Sequence, residues 1–324
     1  MMTVWVVGNA VWDVQIPVTR FPVPGETVLT CDVARSPGGK GANQAVIMAR
    51  FGCPVQFLTV LGADVEGDAL LAALHHEGLA GLTALRAQVP TDQSWIIVDG
   101  TGENMIISTN VAISQLAVDQ VNKALEDARP GDFLVLQGNA DTRTTLLALR
   151  HGKARGMRTV FSPAPAWPEA RDAWPDCDLV ILNQSEAASL LGTQTPDHAM
   201  RQLTAAGAQS VVLTCGAQGA CYRDANGAEG AIPATPTRVT DTAGAGDTVA
   251  AATIAGLARG LNLDAALRLA MDAAAITVAR AGTFSAFPTP QDAQRLWPGR
   301  AGPTSHLTTT EQARHSVASK HETG

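Results

Sequence analysis

Between Asp132 and Thr214 the chain repeats one pattern, a short apolar run followed by a helix-like segment. Phe133-Leu134-Val135-Leu136 precedes a helix predicted from near Thr142, and Thr159-Val160-Phe161 ends in Ser162-Pro163. Leu179-Val180-Ile181-Leu182 leads into a helix near Gln184, and Ser210-Val211-Val212-Leu213-Thr214 follows another helix. A strand with one face in water alternates apolar and polar residues; these runs do not. Both of their faces must be covered, and helices between consecutive strands supply the cover. The pattern therefore predicts an α/β chain built on a parallel sheet. Ligands of such sheets sit beyond the carboxyl ends of the strands. Gly38, Asn139, Asn183 and Thr214 all end or follow predicted strands, so they are expected to converge there.

Two segments break this rhythm, about 14–34 and 92–109. They hold β-type runs interrupted by Pro22, Pro24-Gly25, Asp99-Gly100 and Gly102. They read as extra strands outside the main sheet. Two uses fit: a lid that excludes water from a reacting group, or an ordinary edge hairpin or dimer surface.

Composition narrows the function classes. With 324 residues and 46% hydrophobic content the chain can bury a large core in one or two domains. A formal net charge of -7 argues against a nucleic-acid groove. Five cysteines (Cys31, Cys53, Cys177, Cys215, Cys221) lack metal-ligand spacing and suit a reducing compartment. Met1-Met2-Thr3-Val4-Trp5 has no basic leader region, and the apolar stretch after Asp247 is too short for a bilayer. The expectation is a soluble cytoplasmic protein without nucleic-acid or membrane partners. Residues 299–324 are polar and read as a disordered tail that holds His306, His315 and His321.

Asp241-Thr242-Ala243-Gly244-Ala245-Gly246-Asp247 runs directly into an apolar stretch, Thr248 to Leu257, predicted as a buried helix. Small residues before a helix start leave backbone N–H groups pointing outward, and with the helix dipole they form an anion site. Gly244 and Gly246 let the backbone approach a ligand. Asp247 stands at the mouth of that site, where a carboxylate is awkward beside a phosphate unless it accepts a proton from an attacking hydroxyl. That arrangement suits phosphoryl transfer; a Gly-rich turn with an acid in the first helical turn is the plainer alternative.

A second glycine motif, Ser36-Pro37-Gly38-Gly39-Lys40-Gly41-Ala42-Asn43-Gln44-Ala45, opens a helix predicted to run to about Phe51. Lys40 is followed by Gly41 rather than Ser or Thr, so it is not a Walker A loop, and it lacks the third glycine of a dinucleotide fingerprint. Backbone N–H groups, Lys40 and Asn43 together would suit a hydroxyl-rich ligand. A tight strand-to-helix turn fits the same residues.

The two motifs, in this order and separation, resemble the ribokinase (PfkB) family of sugar kinases. The likeness runs from Val4 to about Pro288 and includes Pro24-Gly25-Glu26-Thr27, Gly62-Ala63-Asp64, Gly102-Glu103-Asn104, Pro163-Ala164-Pro165 and Asn183-Gln184-Ser185-Glu186. The resemblance implies a ribokinase-like three-layer α/β sandwich with a mainly parallel central sheet and a small β lid, as one domain over 1–298. It implies an ATP-dependent kinase acting on the primary hydroxyl of a ribose-like sugar. Asp247 would be the catalytic base, and the amides of Gly244, Ala245, Gly246 and Asp247 the anion hole. Asp13, Gly38, Gly39, Lys40, Asn43 and Asn139 would hold the sugar. Asn183 and Glu186 would organise Mg²⁺, with Thr214, Gly216 and Gly219 at the nucleotide. Asp241 with the carbonyls of Ala243, Arg280 and Gly282 resembles the family's potassium site. A homodimer paired through the lid is expected on the same ground.

The chain also departs from the family. Ribokinases carry Asn where this chain has Val11, Glu where it has Asn139, and Ser where it has Ala286, with Ser285 adjacent. Losing a buried hydrogen-bond partner costs about 1–3 kcal/mol, so two such losses would move preference away from free ribose. Trp12 and Trp95 could stack on a ring or fill space, or pack beneath the lid. A nucleoside kinase on the same scaffold is therefore the alternative, and a non-catalytic sugar sensor a third reading.

Overall fold

In the computed structural model, which describes residues 2–30, 32–101 and 103–297, nine strands form one sheet and four form another. The large sheet contains β1 (Val4–Val7), β4 (Val55–Gly62), β5 (Gly81–Ala87), β8 (Phe133–Gln137), β9 (Arg158–Ser162), β10 (Leu179–Asn183), β11 (Ser210–Thr214), β12 (Ala220–Arg223) and β13 (Glu229–Ile232). Its order is β13-β12-β11-β10-β9-β8-β1-β4-β5. The pairings from β11 through to β5 are parallel; the β11–β12 and β12–β13 pairings are antiparallel, so β12 alone runs against the rest. The four apolar runs predicted from the sequence are β8 to β11.

Burial on both faces follows from where the side chains go. Val4 and Val6 of β1 and Phe133 and Val135 of β8 enter one core. That core also takes α1 (Lys40–Arg50), α2 (Val65–His76), α7 (Ala245–Ala258) and α8 (Leu263–Val278). Val7, Leu134 and Leu136 enter the opposite core with α3 (Val118–Ala124), α4 (Thr142–Ala154), α5 (Gln184–Leu191) and α6 (Pro196–Ala205). Successive residues of a strand point to opposite faces, so a run with an apolar layer on each side has no polar alternation. Helix α7 is buried nearly all round. Its glycine and alanines permit close packing on α8: a Cβ on Gly256 would lie 2.9 Å from that of Ala266.

The second sheet has the order β3-β2-β6-β7, from β2 (Val11–Pro17), β3 (Ala34–Gly38), β6 (Gln93–Val98) and β7 (Asn104–Ser108). Its strands differ from the expected spans: the first starts at Val11, and residues 18–30 and 32–33 lie in no strand. Prolines 22 and 24 lack the N–H a ladder needs. Arg20 instead pairs with Glu26, whose carboxylate accepts from the Val23 amide at 3.1 Å. The returning strand β3 carries the start of the second glycine motif, so this small sheet feeds straight into α1. Gly102 and the predicted tail, 299–324, lie outside the described residues. No helix among the described residues is long and apolar enough to cross a membrane.

Candidate active site

The N-termini of α1 and α7 meet at the carboxyl end of the large sheet. Asp247, in the first turn of α7, is buried, and both of its oxygens are engaged. Asn43 Nδ2 donates to Oδ2 at 2.8 Å and Gln44 Nε2 to Oδ1 at 3.0 Å. These partners sit about two hundred positions away in the chain, so the two glycine motifs are two walls of one site.

Asp13 faces the same space from β2. Thr283 Oγ1 donates to it at 3.4 Å. Burial and then the negative charge of Asp247 push its acid up to about 7, against the bond from Thr283 and the positive charge of Lys40. Gly38 is required by this carboxylate, since a Cβ there would lie 1.9 Å from Asp13 Oδ2. Gly39 holds a left-handed φ of 95° directly before α1. Asn43 Oδ1 and Asn139 Oδ1 are buried acceptors that take no hydrogen bond within the protein. Such atoms carry a desolvation cost that a ligand's hydroxyl donors would relieve.

The two glycines of the α7 motif differ in their surroundings. Gly244 has a left-handed φ of 73°, and a Cβ on it would strike the Phe287 ring at 2.5 Å. Gly244 is thus needed for backbone shape and packing. Gly246 has open space where its Cβ would be. The Ala245 amide leans towards Thr242 O at 3.3 Å, while the amides of Gly244, Gly246 and Asp247 at the start of α7 are without a backbone partner.

Asn183 ends β10 beside Thr214 at the end of β11, their Cα atoms in register. Asn183 and Glu186 form a reciprocal cap on α5: Asn183 Oδ1 accepts from the Glu186 amide and Glu186 Oε2 from the Asn183 amide, each at 2.8 Å. The pair therefore has a structural role of its own. Burial raises the Glu186 acid above its ordinary range; the backbone bond from Asn183 and then Lys40 oppose this, and Asp247 adds to it. Asp13, Lys40, Asp247 and Glu186 thus share one field. Gly216, left-handed at φ 55°, faces open space, whereas Gly219 packs against the Ile232 carbonyl. Asp241 accepts from the Ala243 amide at 2.9 Å and the Gly282 amide at 3.1 Å. The carbonyls of Ala243, Arg280 and Gly282 accept no backbone hydrogen bond. Ala286 is fully buried, and Ser285 Oγ donates to the Ala281 carbonyl at 3.1 Å.

Neither tryptophan enters this space. Residues in register share a sheet face, and Asp13 aligns with Ser36 and Ser94, while Val14 aligns with Arg35 and Trp95. Trp12 and Trp95 therefore project from the face opposite Asp13. Trp12 lies under the Arg35 guanidinium at 4.2 Å and donates from Nε1 to the Glu66 carbonyl at 3.0 Å. Sequence reading missed Gln44, Gln137 and Thr283. Gln137 carried a signal, as the one polar residue ending the apolar run Phe133–Leu136.

The profile of the pfkB family carbohydrate kinases matches residues 1–290. The ribokinase of Haemophilus influenzae is 31% identical over 297 residues, covering 90% of this chain and 96% of the relative. The crystal structure of a ribokinase from Thermotoga maritima superposes with a TM-score of 0.82 at 29% identity, covering 91% of this chain and 99% of that one. A ribokinase from Cryptococcus neoformans var. grubii serotype A, solved in complex with ADP, gives a TM-score of 0.77 at 26% identity over 91% of this chain and 99% of that one.

Proposed function

We propose that this chain, which belongs to the pfkB family of carbohydrate kinases, transfers the γ-phosphoryl group of ATP to the primary hydroxyl of a ribose-like sugar. One observation carries the reading. Asp247 is a buried carboxylate with two side-chain donors at an open helix N-terminus, beside a second buried acid and acceptors with no partner. Ribokinases of similar length and fold support the substrate class, and the ADP complex of one relative supports the nucleotide.

Asp247 takes the proton as the sugar oxygen bonds to the γ-phosphorus and the bond to the departing ADP breaks. The amides of Gly246 and Asp247 receive charge from the transferred group. Chemistry of this kind is mainly positioning and charge stabilisation, so a carboxylate is an adequate base. Asp13, Gly38, Gly39, Lys40, Asn43 and Asn139 hold the sugar; Asn183, Thr214, Gly216 and Gly219 border the nucleotide. Among the described residues no three His, Cys, Asp or Glu side chains gather into a metal cluster. Mg²⁺ would then be held mainly by phosphates and waters, with Glu186 orienting the waters. The free carbonyls beside Asp241 fit K⁺, although Ala286 offers it no side-chain oxygen.

Trp12 and Trp95 project away from Asp13, which removes the stacking platform a nucleoside kinase would use. A homodimer through the small sheet is supported by β7, where Met105, Ile106 and Ile107 are each about half exposed. The free thiols Cys53, Cys177, Cys215 and Cys221 suit work in the cytoplasm.

The test is ADP release with Mg-ATP against ribose, other pentoses, small polyols and nucleosides, with and without potassium. Wild type and Asp247→Ala run side by side. Turnover of a pentose that is lost in Asp247→Ala supports the reading; sugar binding without ADP release under any condition refutes it.

A further inference from the structure

A carboxylate only accepts hydrogen bonds, so each amide touching Asp247 must turn its N–H side towards it and its carbonyl away. For Asn43 this leaves Oδ1 without a partner and available to a hydroxyl. For Gln44 the carbonyl is taken: Gln137 Nε2 donates to Gln44 Oε1 at 2.8 Å. Gln44 and Gln137 are 1% and 2% exposed. A buried series therefore runs from Asp247 on α7 through Gln44 on α1 to Gln137 on β8. Its polarity is fixed throughout by the charge at one end.

The two oxygens of Asp247 are not equivalent in this arrangement. Oδ2 is held by Asn43, a residue with a spare acceptor facing the sugar space. Oδ1 is held by Gln44, which has no spare group and is anchored from behind. We propose that Gln44, backed by Gln137, is a positioning residue for phosphoryl transfer: it pins Asp247 Oδ1, so that Oδ2 faces the substrate hydroxyl and takes its proton. An arriving hydroxyl displaces Asn43 from Oδ2, whereas nothing competes with Gln44 for Oδ1. The inference rests on the sugar-kinase reading and goes beyond it, because Gln44 has both amide atoms engaged within the protein and need not touch substrate, whereas Gln137 Oε1 is a buried acceptor without a partner.

The experiment compares wild type with Gln44→Met, Gln137→Met and the double variant, which keep volume and remove the amides. It records steady-state rates with Mg-ATP and a turned-over pentose, calorimetric sugar affinity and thermal midpoints. Gln44→Met is expected to lower kcat about tenfold or more while KM for sugar and for ATP stays within about twofold. Gln137→Met should lower kcat by a smaller factor, and the double variant should be no slower than Gln44→Met, since the residues act in series. A folded Gln44→Met with unchanged kcat, a raised sugar KM at constant kcat, or losses that multiply would each overturn the proposal. If Gln44→Met does not fold, Gln137→Met decides it, since both donors to Asp247 remain; an unchanged kcat, or a raised sugar KM at constant kcat, then overturns the role. Wild type that turns over no sugar sinks the kinase reading and this role together. Wild-type turnover with unaltered variants sinks this role only.

Discussion

The carboxylates of Asp13 and Asp247 share one buried space, and the charge on Asp247 helps burial to push the Asp13 acid up to about 7. The folded protein therefore holds a proton on Asp13 that the unfolded chain gives up near 3.8. Over that interval the native state binds more protons, so stability falls as pH rises from about 4 to about 7 and then levels off. Asp13→Asn should be more stable than wild type by about 1–3 kcal/mol at pH 8, with the gap closing towards pH 4. Denaturant titrations at several pH values measure this; a gap independent of pH would refute it. Sugar affinity should run the other way in the wild type, tightening through about pH 7 as Asp13 becomes an acceptor.

The two glycines of the α7 motif should separate cleanly. Gly246 has no atom near its missing Cβ, so Gly246→Ala should fold with a thermal midpoint close to wild type. The new methyl would occupy the space of the transferred phosphoryl, and kcat should fall by about tenfold or more. Gly244→Ala meets both a left-handed φ and the Phe287 ring, and should lose about 1–3 kcal/mol of stability. Equal thermal losses for the two would contradict this division.

Glu186 caps α5, and under the proposed function it also orients the waters of Mg²⁺; one substitution distinguishes the roles. Gln at this position keeps an oxygen for the Asn183 amide and removes the charge. Glu186→Gln should hold its thermal midpoint within about 2 °C while KM for Mg-ATP rises by about tenfold. A matched loss of stability with unchanged KM would leave Glu186 as a cap alone.

Trp12 should matter to stability and not to sugar. Its ring is covered by Arg35 and its Nε1 is bonded to the Glu66 carbonyl. Trp12→Leu is expected to cost about 1–3 kcal/mol in denaturant unfolding, with sugar KM unchanged. A raised sugar KM without destabilisation would return Trp12 to the substrate.

The central sheet was legible because apolar runs such as Phe133–Leu136 admit no single wet face. The meeting of Asn43 with Asp247 was visible only through family resemblance, since no local rule links positions so distant. Gly244 and Gly246 looked equivalent in the sequence; they differ because Phe287 packs against one and nothing packs against the other. Residues 18–30 looked strand-like by composition, but the prolines and the Arg20–Glu26 pair favour a loop. The directions of Trp12 and Trp95 depended on the register of β2 with β6, which neither strand encodes alone.

The hydrogen bond from Asn43 to Asp247 joins positions 204 residues apart. During synthesis, the α1 wall of the site leaves the ribosome long before the helix that carries Asp247. An incomplete chain can form early strands and helices, yet it has no Asp247 beside Asn43 until α7 emerges and docks. The two walls of the site are thus joined only late in synthesis, and under the proposed function no chain that ends before α7 spends ATP on sugar.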